Sequence, residues 1–391
     1  MFNSNQEAAH NALHTFLPYA GGEYARTRNY DYGPMQRENV SMLSPWIRLR
    51  LLSEWEIINA VLKVHSKSSA SKFIDEICWR TYWKGWLELR PSVWEDYLLE
   101  LAKDRERCEK NIGYIKMIEA RSGIPAMDAW TSELIETGYL HNHARMWYAS
   151  IWIHTLKLPW TLGAEFFLRH LLDGDVASNT LSWRWVAGLH TLGKFYLAQK
   201  SNICKFTAGR LEVNIPLATE SALIETGQRI VPPERLPSCD KTIPNGRIGL
   251  LVLEEDLSAI NWLSDGCELV AVAGLLSSAA YRKYGIEESV IKFRFDCMRS
   301  ALPEKAEIFS CPNKFAEWAY FQNLDAVLMA EVPVGICKDV ILDLESSLAS
   351  YEIKVIKRRH WWDTHFYPAA RAGFFNFKKS IPSALAKLKQ T

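Results

Sequence analysis

Two textures of hydrophobic patterning divide the chain. Over roughly the first two hundred residues, apolar positions recur at helical spacing. After residue 247 they gather into short unbroken runs. Phe2, Leu13, Phe16 and Leu17 among polar neighbours predict a helix in the first twenty residues. Gly21, Gly22 and the tyrosine-rich segment to Gln36 read as loop, and Ser44-Pro45 opens another helix with proline at its first position. Residues 72–90, KFIDEICWRTYWKGWLELR, repeat apolar residues as one long helix does. Residues 212–246 are proline-rich without sustained period and read as a linker. Beyond them RIGLLVLEEDL, ELVAVAGLL, LDAVLMAEV and YEIKVIKRR predict buried strands, alternating with helical ESVIKFRFDCMRSAL and KDVILDLESSLAS. Such alternation implies a parallel sheet. The expected architecture is a multidomain α and α/β chain: an all-helical domain over 1–211, a linker over 212–246, and a Rossmann-like parallel α/β domain over 247–391.

Composition narrows this modestly. The 391 residues, 48% hydrophobic and 23% charged, are those of a globular protein with room for more than one domain. Net charge is +1, so any nucleic-acid contact must come from a local patch. Eight scattered cysteines without a CxxC pair read as reduced thiols, with no zinc or iron–sulfur site signalled. No run reaches transmembrane length and the N-terminus lacks a signal pattern, so the expected location is the cytoplasm, with no membrane partner. Sixteen tryptophans stand out. They suit an aromatic core or an electron-conducting interior.

Candidate chemistry concentrates in LLDGDVASNTLSWRW, residues 171–185. Two carboxylates, Asp173 and Asp175, flank Gly174; Asn179 follows, then indoles Trp183 and Trp185. Small residues beside acids let a flat ligand approach the backbone closely. Upstream, Asn142, Arg145 and Met146 fall at i, i+3 and i+4 on one helix face, placing an amide and a guanidinium where they can bracket a polar heterocycle. Each feature has an ordinary reading as well. Tryptophans are usually core, Asp-Gly-Asp is usually a solvated turn, and serines at a helix start are usually caps. Ser41 and Ser44 beside free backbone N–H groups also make a natural anion site. Lys194, Lys200, Lys205 and Arg210 with Phe195, Tyr196 and Phe206 form a basic-aromatic strip, suited to a nucleic-acid backbone or equally to solvent.

The order of these pieces resembles the photolyase/cryptochrome family. HNHARM, Trp160, DGDVASN and WRW follow the family's HNRxRM, W, DGDxAxN and WQW. GEYARTR and VSMLSPWI follow its GEYxxxR loop and TSRLSPYL helix start, with a longer loop between. The resemblance implies a helical domain holding FAD. Tyr24 would take the loop tyrosine's place, and Val40, Ser41, Met42, Leu43 and Ser44 the diphosphate loop, although valine and methionine replace a threonine and an arginine. Glu76, Trp79 and Arg80 match the ELIWREFY helix, with Phe73 replacing a pocket tryptophan and Thr81 a second glutamate. Asn142, Arg145, Asp173, Gly174, Asp175 and Asn179 would complete the cofactor site.

From the same resemblance, Glu76 would polarise a pyrimidine dimer in UV-damaged DNA, Trp79, Met146 and Trp185 would meet it, and Asn179 would face the reactive flavin nitrogen. The family includes base-flipping enzymes, which must extrude and stack their target. Trp183 and Trp160 would be the inner and middle members of a tryptophan relay whose outer position, near Arg107, has no aromatic. Trp130, Trp147 and Trp152 are alternative carriers. RIGLLVLEEDL and FFNFKKSIPSAL resemble the two ends of the family's α/β antenna domain, here permuted to the C-terminus. Glu254 and Glu255 replace the opening strand's arginines, and no folate-holding glutamate is evident, so the antenna pigment stays unassigned. The implied function is a monomeric light-dependent DNA repair lyase. The alternative is a cryptochrome-like blue-light photoreceptor without repair, signalling to a protein partner.

Overall fold

A computed structural model describes residues 2–191, 193–222, 231–240, 242–264 and 266–388. From Gln6–Phe16 to Lys200–Phe206 the described elements are all helical, and the strands begin only at Ile248. The predicted helix over 72–90 is observed as Ser71–Glu88. It buries Phe73, Ile74, Ile77, Tyr82 and Leu87, the residues whose 3.6-residue spacing marked it. Asn5 caps the first helix by accepting from the Ala8 N–H at 2.8 Å, and Ser53 caps Glu54–Val64.

The α/β part is a five-stranded, all-parallel sheet: β1 (Ile248–Leu253), β2 (Leu269–Leu275), β3 (Glu307–Phe309), β4 (Ala326–Ala330) and β5 (Lys354–Arg358), in the order β3-β2-β1-β4-β5. Leu250 of β1 faces Val272 of β2 and Leu328 of β4. The four predicted apolar runs are β1, β2, β4 and β5. The three-residue edge strand β3 has no apolar run to reveal it.

Strand order reverses between β1 and β4, and in open α/β sheets ligands enter the crevice at the carboxyl ends there. In this chain the crevice is filled by protein. Arg48 and Arg50, from the helical part, reach Glu254, Glu255 and Asp256 just beyond β1, and Asp363 closes on Arg50 from the other side. The remaining cavity of about 20 Å³ has room for little more than water.

After β5 the chain returns to the helical part. The short helices Trp361–Phe366 and Phe374–Phe377 pack on Ser71–Glu88. Trp362, Phe366 and Phe377 are fully buried there, each contributing roughly 1.5–3 kcal/mol of transfer free energy. The Trp362 indole N–H donates to Thr81 Oγ1 at 2.9 Å. Thr81 is buried, so the glutamate that the resemblance expects there would place a carboxylate out of water at a cost that a hydroxyl avoids. At Gly85 an added Cβ would sit 2.9 Å from the Tyr367 backbone, so the approach requires glycine.

Candidate flavin site

The Val176–Val186 helix organises the site. Asp175 is its N-cap, accepting from the Ser178 N–H at 2.7 Å. Burial alone would push the Asp175 carboxyl up, but Arg80 at 3.3 Å, Lys84, Arg48 and the capping N–H outweigh it and hold it well below the usual carboxylate range. It is therefore a fixed negative charge. Asp173, two residues earlier, binds the Arg145 guanidinium through two bonds of 3.0 and 2.9 Å. This two-pronged geometry gives direction as well as strength. Gly174 between them is tied from both parts of the molecule, its carbonyl accepting from Arg48 Nε at 2.9 Å and Arg294 Nη2 at 3.0 Å.

One turn into the helix, the Asn179 amide N–H donates to the Ala164 carbonyl at 2.7 Å, and its carboxamide oxygen makes no hydrogen bond among the described residues. The Ser178 hydroxyl is buried without a partner. A buried polar group without a partner, such as the Ser178 hydroxyl, calls for a missing one. A flavin ring, rich in amide and imide groups, would supply it and would also meet the neighbouring Asn179 oxygen.

The phosphate-loop candidates also fit. Val40, Ser41, Met42 and Ser44 are half-buried and Leu43 is buried. Ser44 is the first residue of a short helix, Ser44–Arg48, whose N-cap is Leu43, so neither serine acts as the cap. Their hydroxyls form no hydrogen bonds among the described residues. Met42 holds a left-handed φ of 51°, a conformation that L residues adopt at a cost and that clusters at binding loops. Tyr24 and Phe73 are buried edge to face at 5.1 Å, so phenylalanine fills the tryptophan's place by packing on Tyr24 and Phe16.

The residues assigned to the lesion are half-buried, and several already have protein partners. Arg28, the arginine that closes the GEYARTR segment, donates to Glu76 Oε1 at 2.6 Å. The chain there is pinned by His141 and His143, whose ring nitrogens lie 3.1 and 3.0 Å from the Arg28 and Asn29 carbonyl oxygens. Burial pushes the Glu76 carboxyl up even against Arg28. Trp79 stacks on Phe374 at 3.7 Å and 10°, and Trp185 stacks on Tyr196 at 5.9 Å. Asn142 is exposed at the start of the Asn142–Ser150 helix, with Met146 half-buried one turn on.

Among the aromatics, Trp183 is buried against Phe167 at 5.1 Å and Trp152 at 6.2 Å. Trp152 in turn meets half-buried Tyr114 at 5.9 Å. Trp160 has Tyr97 as its ring neighbour at 5.5 Å and donates to Glu100. Trp130 and Trp147 stack on each other at 5.8 Å. Sequence reasoning missed Arg28, Lys84, Arg48 and Phe374 as neighbours of the site. The motif arginine of GEYARTR was the one visible sign of Arg28; Phe374 lies almost three hundred positions from Trp79 and gave none.

Residues 73–207 match the family model of the FAD binding domain of DNA photolyase. A deoxyribodipyrimidine photo-lyase of Buchnera aphidicola is 27% identical over 196 residues, 49% of this chain and 40% of that protein. One of Streptomyces griseus is 35% identical over 155 residues, 39% of this chain and 32% of that protein. A bacterial class III photolyase structure from Agrobacterium tumefaciens aligns with a TM-score of 0.44 at 25% identity, covering 52% of this chain and 43% of that one. The chain thus spans about two fifths of the length of the curated relatives it matches. No described helix is long and apolar enough to cross a membrane. With its DGD, asparagine and arginine elements assembled around one helix start, the segment over 73–207 is a FAD-binding domain of the DNA photolyase type.

Proposed function

We propose that this protein is a light-dependent DNA repair flavoprotein that splits pyrimidine dimers. The observation carrying the proposal is the Arg145–Asp173 clasp beside a buried asparagine whose carboxamide oxygen is unpaired. FAD, when bound, supplies the light absorption and the electron. The protein's residues do the rest. Arg145 and Asp173 hold each other at fixed orientation and present a flat, charged wall. Asp175, kept ionised by Arg80, Lys84 and Arg48, anchors the helix start and fixes Asn179 one turn on. Ser41, Ser44 and Arg80 would receive the diphosphate. Trp183 and Trp152 exclude water from the helix face and offer an aromatic path towards Tyr114.

Glu76 sits on the next helix with a carboxyl pushed up by burial, suited to hydrogen-bonding a pyrimidine carbonyl once Arg28 lets it go. UV-damaged DNA is the proposed partner, held by a local patch because the chain as a whole is nearly neutral. The domain division at 1–211, 212–246 and 247–391 is part of the same proposal. In it the α/β unit acts as a clamp on the helical unit, its crevice filled by Arg48 and Arg50.

One observation favours the alternative, a blue-light photoreceptor without repair: Arg28 covers Glu76 and Phe374 covers Trp79. The deciding experiment is anaerobic illumination of the reduced, flavin-loaded protein with an oligonucleotide carrying one cyclobutane thymine dimer. Restored thymines are scored for wild type, Glu76→Ala and Asn179→Ala. Repair that drops sharply in Glu76→Ala supports the proposal. Full flavin loading with no repair of this lesion or of a (6-4) photoproduct refutes it and leaves the photoreceptor reading.

A further inference from the structure

A cavity of about 1570 Å³ is lined in part by Tyr82, Trp86, Trp160, Arg184 and His190. None of the residues matched to the flavin is among its lining residues. Arg184 stands where the family has glutamine, and its side chain makes no hydrogen bond and no ion pair among the described residues. Its Nε is buried without a partner. Burial lowers its pKa, so the charge is held without full compensation. The second orphan is His190 Nδ1. The Tyr82 hydroxyl lies 3.1 Å from His190 Nε2; with the hydroxyl donating, Nδ1 carries the ring proton and is a donor. Burial and the nearby Arg184 and Arg90 push His190 down to about 4, so the ring is neutral at physiological pH.

Charges of both signs surround these two donors: Glu100 and Asp96 act on Arg184, Arg184 and Arg90 act on His190, and the lining as a whole carries more cations than acids. Arg90, Lys103, Lys157 and Arg371 also line the cavity, and none has a carboxylate within ion-pair distance among the described residues. The acids are occupied or peripheral: Asp104 binds Thr161 and Arg107, Glu100 accepts from the Trp160 indole, and Asp96 and Glu220 are exposed. The aromatic component is as clear. His190 packs at 4.8 Å from both Trp83 and Trp86, and the Arg184 guanidinium lies 5.8 Å above the Trp160 ring. Arginine's planar fork suits a phosphate, and apolar rings beside it suit a base. The volume exceeds what a bare anion needs and matches organic ligands.

We propose that this cavity is a second ligand site that binds a nucleoside phosphate, its phosphate on Arg184 and His190 and its base against the Trp86–Trp160 wall. The nucleotide could be free or part of a single strand, because both present the same phosphate and base. The site does not depend on the repair proposal.

The test uses protein saturated with FAD and titrates AMP, adenosine, inorganic phosphate and a short undamaged oligothymidylate, read by calorimetry and tryptophan fluorescence. AMP should bind saturably and more tightly than adenosine or phosphate. Arg184→Gln should weaken it at least about tenfold, the loss expected for one charged hydrogen bond, with flavin content unchanged. Arg184→Lys, which keeps the charge and loses the fork, should fall between. Oligothymidylate binding in place of AMP with the same Arg184 dependence supports the site with a strand as its source. No saturable binding of either nucleotide form, phosphate binding as tightly as AMP, or displacement of AMP by free FAD at equal affinity would each overturn the proposal.

Discussion

Replacing Arg48 by methionine probes the join between the two parts of the molecule. The guanidinium is 3% exposed and donates to the Gly174 carbonyl at 2.9 Å, to Glu254 at 3.0 Å and to Glu255 at 2.7 Å. Glu254 is completely buried. Burial alone would raise its pKa, but Arg294 and Arg48 together overcome that and hold it ionised. Methionine keeps much of the side-chain volume and removes the charge, leaving Glu254 with Arg294 and the Tyr281 hydroxyl as partners. Breaking one side of a buried pair costs up to about 3–5 kcal/mol, and here Arg294 makes up only part of what Glu254 and the Gly174 carbonyl lose. The same reasoning fixes the sign of a second change. Glu254→Gln on the Arg48→Met background should cost at least about 1 kcal/mol less than it does in wild type, because the Arg48 contact is already gone there while Arg294 loses its partner in both backgrounds. Urea denaturation of wild type, both single variants and the double variant measures the cycle. A loss below about 1 kcal/mol for Arg48→Met, or a double variant as unstable as the two singles added, would refute the charge account of this join.

Three further outcomes follow from other contacts. Glu88, buried where the Val334 N–H meets its carboxylate, has its pKa raised from 4.5 to about 7 by burial. A raised carboxyl stabilises the fold fully below the unfolded value and loses that contribution as pH rises through the folded one. Stability should therefore fall by up to about 3 kcal/mol between pH 4.5 and somewhat above 7, and Glu88→Gln should flatten that part of the pH–stability curve; an unchanged slope contradicts it. An added Cβ at Gly163 would lie 2.3 Å from the Trp183 ring and 3.1 Å from Trp152, so Gly163→Ala should lower stability by about 1–3 kcal/mol and shift the near-UV tryptophan signal. Because Trp183 touches Trp152 while Trp160 touches Tyr97, Trp152→Phe should slow light-driven reduction of bound flavin more than Trp160→Phe does. Transient absorption with a thiol reductant measures both, and the reverse ranking rules out the Trp152 route.

Much of the fold was legible because each part carries its own local signal. The Ser71–Glu88 helix shows a 3.6-residue period, and β1 and β4 are unbroken apolar runs buried on both faces. The site elements DGDVASN and HNHARM were legible for a different reason: each is contiguous, and its residues come together within a turn or two of one helix. What escaped depends on contacts between distant segments. Nothing in FFNFKK indicates that Phe374 stacks on Trp79, or that Trp362 takes the Thr81 hydroxyl. Glu254 and Glu255 stood out in the sequence only as departures from a pattern. The structure gives them a reason, since Arg48 arrives at β1 from the helical part and needs acids where the family has arginines. The Arg28 contact was hidden similarly, because GEYARTR shows the arginine and not the carboxylate 48 positions away on which it lands.

Flavin occupancy tests the central claim most directly. Wild type and Arg145→Ala would be purified with excess FAD, freed of unbound cofactor, and compared by visible flavin absorbance per chain, with far-UV circular dichroism as the control for folding. Removing Arg145 strands the buried Asp173 carboxylate and opens the clasp. The account predicts close to one flavin per chain in wild type and a loss of at least about tenfold in affinity for the variant, with helicity retained. Wild type that takes up no flavin, or a folded Arg145→Ala that keeps all of it, would contradict the assignment of this site.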